Sequence, residues 1–164
     1  MHLDIFRYFS EEQSRIVQML EELIKNYPKM TREAAFAQVK GICGAIENHL
    51  RKQKTLLIDN LPQDSLDCPI LKESENDRAK VSEEMGQLVM VHVDEPEYVG
   101  CLSKLLQAVN GHIEFSERFY AHLRKMIPKE NLDGINSSLE EEVFTLADFD
   151  KLHTCGADGM SAGA

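Results

Sequence analysis

LSKLLQAVNGHIEFSERFYAHL, residues 102–123, decides how this chain folds. Leu102, Leu105, Val109, His112, Ser116, Phe119 and Leu123 recur at steps of three and four. That spacing keeps side chains on one stripe of an α-helix. His112 and Ser116 are the polar members of an otherwise apolar stripe. Buried polar groups need hydrogen-bond partners, so this stripe predicts further polar groups on the helices that face it. The segment reads as a helix from about 96 to 126, closed by Ile127 and Pro128.

Working outward, the same spacing recurs three times. Residues 3–26 carry Phe6, Phe9, Gln13, Ile16, Leu20 and Leu23, and Pro28 ends the run. Ser10 and Gln13 also have the spacing of a capping box, which would apply if a helix began there. A second helix begins at Thr31, a good N-cap. Its stripe is Ala35, Val39, Ile42, Ile46, His49, Gln53 and Leu56. The stretch from Leu61 to about residue 73, with Pro62, Asp64, Ser65, Asp67 and Pro69, reads as a loop. A third helix is expected to start between Ser74 and Asp77, with the stripe Val81, Met85, Leu88 and His92, and Pro96 opens the fourth. Gly111, beside His112, is expected to permit a close helix contact.

Four helices of similar length with short links predict an all-α fold. It is an antiparallel up-down four-helix bundle over residues 1–128, with a short C-terminal extension over 129–164. In the extension, residues 137–150 predict a short helix that docks Leu139, Val143, Phe144, Leu146 and Phe149. Residues 156–164 predict a flexible tail.

The net charge of −10 argues against a nucleic-acid partner, which needs a positive footprint. No apolar run is long enough to span a membrane, and no basic amphipathic face suggests one. The N-terminal residues lack the pattern of a secretory signal. Cys43, Cys68, Cys101 and Cys155 are scattered, without a CxxC pair, and are expected to be reduced thiols in a cytoplasmic protein. No nucleophile elbow, phosphate loop or HExxH motif is present, so no enzyme activity is expected. The acid clusters Glu11 with Glu12, Glu83 with Glu84, and Glu140 to Glu142 read as solvated faces. His2, His122 and His153 read as surface residues, His92 as a surface or capping residue, and Tyr98 and Tyr120 as packing or rim residues.

Two inward histidines on different helices suggest a site built between helices. In both helices the residue four positions after the histidine shares its face: Gln53 after His49, and Ser116 after His112. The stretch from Gly111 to Tyr120, followed by 123–128, and the Glu47-Asn48-His49 segment resemble the hemerythrin-like (HHE) family over residues 3–128. Such proteins typically hold a non-haem di-iron centre between four helices. The resemblance implies ligand positions at Gln13, His49, Gln53, Met85, His112 and Ser116, all on the stripes above. Of these, His49 and His112 keep a family ligand, whereas Gln13, Gln53, Met85 and Ser116 are substitutions. Glu117, one residue displaced, is a substitute ligand in this reading. The competing reading is a pair of neutral core histidines bonded to Gln13, Gln53 or Ser116.

Three functions are consistent with these residues. The leading one is a hemerythrin-like domain with a degenerate or reduced metal site, acting as a non-catalytic binding, sensory or regulatory module. It would hold no metal, or iron in a reduced site, with zinc ranked behind iron. The second is an active metalloprotein binding oxygen, nitric oxide or iron through His49, His112 and Glu117 or His92. The third is a structural protein that forms a homodimer through a bundle face.

Overall fold

The computed structural model describes the backbone of residues 3–154 and the side chains of residues 3–143. All regular structure among the described residues is helical. Its five α-helices are α1 (Ile5–Asn26), α2 (Arg32–Lys52), α3 (Pro69–Met90), α4 (Tyr98–Met126) and α5 (Lys129–Thr154). None of the described helices is long and apolar enough to cross a membrane.

The helix starts follow local chemistry. The Asp4 carboxylate accepts hydrogen bonds from the backbone N–H groups of Phe6 (2.9 Å) and Arg7 (3.2 Å), which caps α1. The Ser10 hydroxyl donates to the Phe6 carbonyl at 2.9 Å, so Ser10 and Gln13 lie inside the helix and form no capping box. Thr31 caps α2 through the Ala34 N–H at 3.2 Å, as its sequence position predicts. The third helix starts earlier than its sequence suggests. Pro69 is its first residue rather than part of a loop, because a proline lacks only an N–H that the first turn would leave unpaired. The α3 stripe therefore begins at Leu71 and Ser74, both buried. That helix ends at Met90, which leaves His92 exposed beyond it, beside Asp94 and Arg32.

A π-turn over Gln53–Leu57 continues α2. Successive residues of a regular helix are about 100° apart at ~3.6 residues per turn, so adjacent positions rarely share one buried face. The widened turn changes that phase. Lys52, Gln53 and Leu57 are buried, whereas Leu56 is only half-buried. Such turns interrupt helices often at functional positions.

Helix α4 runs without a break through Gly111. A methyl group there would meet nothing within 4 Å, so the close helix contact expected at Gly111 is not made. Helix α5 starts directly after Pro128 and is longer than the short helix expected over 137–150. It clamps the start of α1: Asn136 Oδ1 accepts from the Ile5 N–H at 3.0 Å, and Glu140 Oε1 accepts from the Leu3 N–H at 2.9 Å. Its own Ile135 and Leu139 are buried in the core, and Val143 packs against the same cluster. The side chains of Phe144, Leu146 and Phe149, and residues 156–164, lie outside the described residues.

Helix α1 packs on both α2 and α4, and α3 packs on α4; α2 and α3 make no comparably close pairing. The core falls into two apolar clusters. One contains Ile5, Phe6 and Phe9 of α1, Leu57 beyond α2, Leu71 of α3, and Phe115, Phe119 and Leu123 of α4. The other contains Ile16, Leu20 and Leu23, then Val39, Ile42 and Ile46, then Val81, Met85 and Leu88, then Leu102, Leu105 and Val109. Between them, each of the four helices contributes polar residues: Gln13, His49, Ser74 and His112 with Ser116, all buried.

Candidate functional site: a buried histidine layer

The site is the polar layer between the two clusters. His49 and His112 are 2% and 3% exposed, and their Nε2 atoms are 3.3 Å apart. The rings meet nearly edge to face, with centroids 5.4 Å apart and an interplanar angle of 83°. Each ring is held from behind by a carboxylate. His49 Nδ1 lies 2.8 Å from Glu12 Oε1, and His112 Nδ1 hydrogen-bonds Asp77. An ionised carboxylate only accepts, so it places the ring proton on Nδ1 and leaves Nε2 as an acceptor.

The Nε2 side is filled by neutral polar groups. The Gln13 amide nitrogen donates to Ser116 Oγ at 2.9 Å and lies 3.3 Å from His49 Nε2. Ser116 Oγ lies 3.5 Å from His112 Nε2. Gln53 does not reach a histidine; its amide nitrogen donates to the Tyr120 hydroxyl at 2.8 Å. Tyr120 also lies 3.4 Å from the Gln13 amide nitrogen, and burial pushes its hydroxyl well above the ordinary tyrosine range. Every member of this chain of donors and acceptors has a partner, as a buried polar network requires.

The charges are balanced by the protein itself. Lys52 is 2% exposed, an unusual place for lysine unless it is paired. Its ammonium bonds Glu12 and donates to the Tyr8 hydroxyl at 2.8 Å. Burial alone would raise the Glu12 carboxyl, but hydrogen bonds from His49 and Lys52 outweigh it and hold the group below the usual carboxylate range. Burial pushes the His49 imidazole down, more than the Glu12 hydrogen bond pushes it up, so His49 is neutral near pH 7. Arg78 has Glu75, Asp59 and Asp77 as charged neighbours. One of its guanidinium nitrogens is the buried side-chain polar atom that lacks a partner among the described residues.

Of the residues singled out in the sequence, Gln13, Gln53, Ser116, His49 and His112 come together here. Met85 does not: it lies in the second apolar cluster, eight residues from Asp77, or about 12 Å along the helix at ~1.5 Å per residue. The late start assigned to α3 explains this, because the true stripe passes through Ser74 and the Asp77–Arg78 region at the level of the histidines. Glu117 is exposed on the outside of α4 and is not brought to the histidines. Glu12, Lys52, Asp77, Arg78 and Tyr120 were not read as site residues. The spacing of His112, Ser116 and Tyr120 at successive steps of four carried a signal for Tyr120. Glu12 sits beside Glu11 and reads as a solvated pair, although its side chain is 15% exposed.

The donors do not suit a di-iron centre. Such a pair of ions needs several carboxylates at the metal, and here the two carboxylates face Nδ1, behind the rings. The side chains against the Nε2 atoms, apart from the other ring, are the Gln13 amide and the Ser116 hydroxyl. Among the described residues, no group of three or more His, Cys, Asp or Glu side chains converges to hold a metal ion. No protein-family model, curated protein or solved structure matches the chain.

Proposed function

We propose that this chain is a hemerythrin-like up-down bundle in which a hydrogen-bonded layer stands where that family holds metal. In this reading it is a cytoplasmic, non-catalytic binding, sensory or regulatory module. The up-down arrangement draws support from the first apolar cluster, that of Phe6 and Phe119, which joins the start of α1, the turn after α2, the start of α3 and the end of α4. The observation that carries the functional reading is the occupation of the Nε2 side of both histidines by Gln13 and Ser116. Elemental analysis of untagged protein, grown with iron and zinc and purified without chelator, tests it. Less than about one metal ion in ten chains is the expected result. One or two equivalents, lost in a His49→Ala/His112→Ala double variant, would overturn it.

That overturning result would favour the second reading, a metalloprotein binding oxygen, nitric oxide or iron. Its supporting observation is the carboxylate behind each imidazole, the arrangement that orients metal-ligating histidines in many sites.

Self-association is the third element of the proposal. A groove of about 830 Å³ lies between α2 and α3, lined in part by Phe36, Val39, Met85, Leu88 and Val93. Phe36, Val89 and Met90 around it are 61%, 86% and 82% exposed. Its rim mixes Arg32 and Lys40 with Glu33 and Glu47, a self-complementary set for a second copy of the chain. Light scattering should give a dimer mass that falls to the monomer in Val89→Asp. A monomer at 100 μM wild-type protein would remove this element.

A further inference from the structure

A second pair of reactive side chains lies away from the histidine layer. Cys68 Sγ is 3.6 Å from His122 Nε2. Cys68 is the N-cap of α3, and its side chain makes no capping hydrogen bond. Its backbone is fixed on both sides: its N–H donates to the Ser65 carbonyl at 3.1 Å, and its own carbonyl accepts from the Leu71 N–H at 3.0 Å. Both side chains are partly exposed, so small molecules can reach the sulfur. Three features therefore meet at one thiol: an imidazole base in reach, the positive end of a 22-residue helix, and access from solvent.

We propose that Cys68 and His122 form a reactive thiol–imidazole pair and that Cys68 is a site of reversible oxidation by hydroperoxides. Sγ forms a bond to one oxygen of the hydroperoxide as the O–O bond breaks. The sulfur loses two electrons and becomes a sulfenic acid, and the hydroperoxide is reduced to water or an alcohol. The thiol proton passes through His122 Nε2 to the departing oxygen. A low-molecular-weight thiol then condenses with the sulfenic acid, giving a mixed disulfide and water. Cys43 and Cys101 belong to the other apolar cluster, so neither stands beside Cys68 to resolve it.

Those two thiols serve as internal comparisons. Burial and the nearby Glu47 charge push the Cys43 thiol up, which makes it a slow nucleophile. The experiment treats the full-length chain with hydrogen peroxide at pH 7 in the presence of dimedone. Peptide mass spectrometry then reads the tag at Cys68, Cys43 and Cys101. The expected result is a rate at Cys68 about a hundredfold above the other two, the low end of what a positioned base supplies. It should drop toward theirs in His122→Gln and His122→Asn, with circular dichroism showing that each variant stays folded. Equal tagging of the three cysteines in the wild type would overturn the proposal. So would a Cys68 rate unchanged in a folded His122 variant.

Discussion

Glu12→Gln should be costly out of proportion to its partial exposure. The carboxylate serves two partners at once, the His49 Nδ1–H and the ammonium of Lys52. Removing its charge leaves Lys52, 2% exposed, with only the Tyr8 hydroxyl and the remaining amide oxygen. Breaking a buried ion pair by removing one partner costs about 3–5 kcal/mol. The 15% exposure of Glu12 lets water soften the loss, so about 3 kcal/mol is expected. At about 2–4 °C per kcal/mol for a chain of this size, the melting temperature should fall by about 6–12 °C. Lys52→Met should cost less, about 1 kcal/mol, because Glu12 keeps its bond to His49 and some contact with water. The double variant Glu12→Gln/Lys52→Met buries no unpaired charge and should lie within about 1 kcal/mol of wild type. A double-mutant cycle in urea, read by circular dichroism, then gives a coupling of about 3–5 kcal/mol. Simple additivity of the two singles would refute the reasoning. So would a Glu12→Gln cost below about 1 kcal/mol, the value of an exposed pair.

Three further outcomes are expected. The His49 imidazole is pushed below its ordinary value of 6.5, so the unfolded chain takes up a proton that the folded chain refuses. Stability should therefore fall as pH drops below about 6.5, and His49→Gln should flatten that slope in urea melts between pH 7 and 5. The lowered Glu12 carboxyl adds a second loss, starting as pH falls below its ordinary 4.5. Gly111→Ala, at an exposed position inside α4 with open space around it, should stabilise the protein by about 1 kcal/mol in the same melts. A destabilised Gly111→Ala variant would mean that a neighbour crosses that surface in solution.

The stripes of α1, α2 and α4 were legible because the apolar steps of three and four run unbroken through them, and every position assigned to α1 and α4 is buried. The polar interruptions Gln13, His49, His112 and Ser116 were legible for the same reason. The carboxylates were not. Glu12 precedes a stripe residue by one position, so it enters the layer from the edge of a helix interface, whereas Asp77 falls on the α3 stripe between Ser74 and Val81, at the point where the sequence placed the start of that helix. Periodicity marks the centre of a face and is blind to side chains that reach in from its border. Lys52 escaped because the π-turn over Gln53–Leu57 alters the phase of α2 where the lysine turns inward. Met85 was assigned to the wrong level because Pro69 was read as a loop residue when it opens α3.

Charge balance is the reason to read the layer as complete in itself. In a di-iron bundle the ligand carboxylates offset the charge of the ions. Here one of the two carboxylates that touch the histidines, Glu12, is already paired with a cation, Lys52, and the charge of Arg78 is felt near Asp77 without an ion pair between them. A dication placed between the two Nε2 atoms would add two positive charges to a region that already holds the Lys52 ammonium. It would also have to displace the Gln13 amide from His49. Burying uncompensated charge is among the largest penalties available to a protein interior. Lys52 thus offsets the Glu12 charge with a side chain that cannot dissociate. The Lys52→Met variant removes that cation while leaving both imidazoles and both carboxylates, which makes it the form of this chain best suited to accept a metal ion.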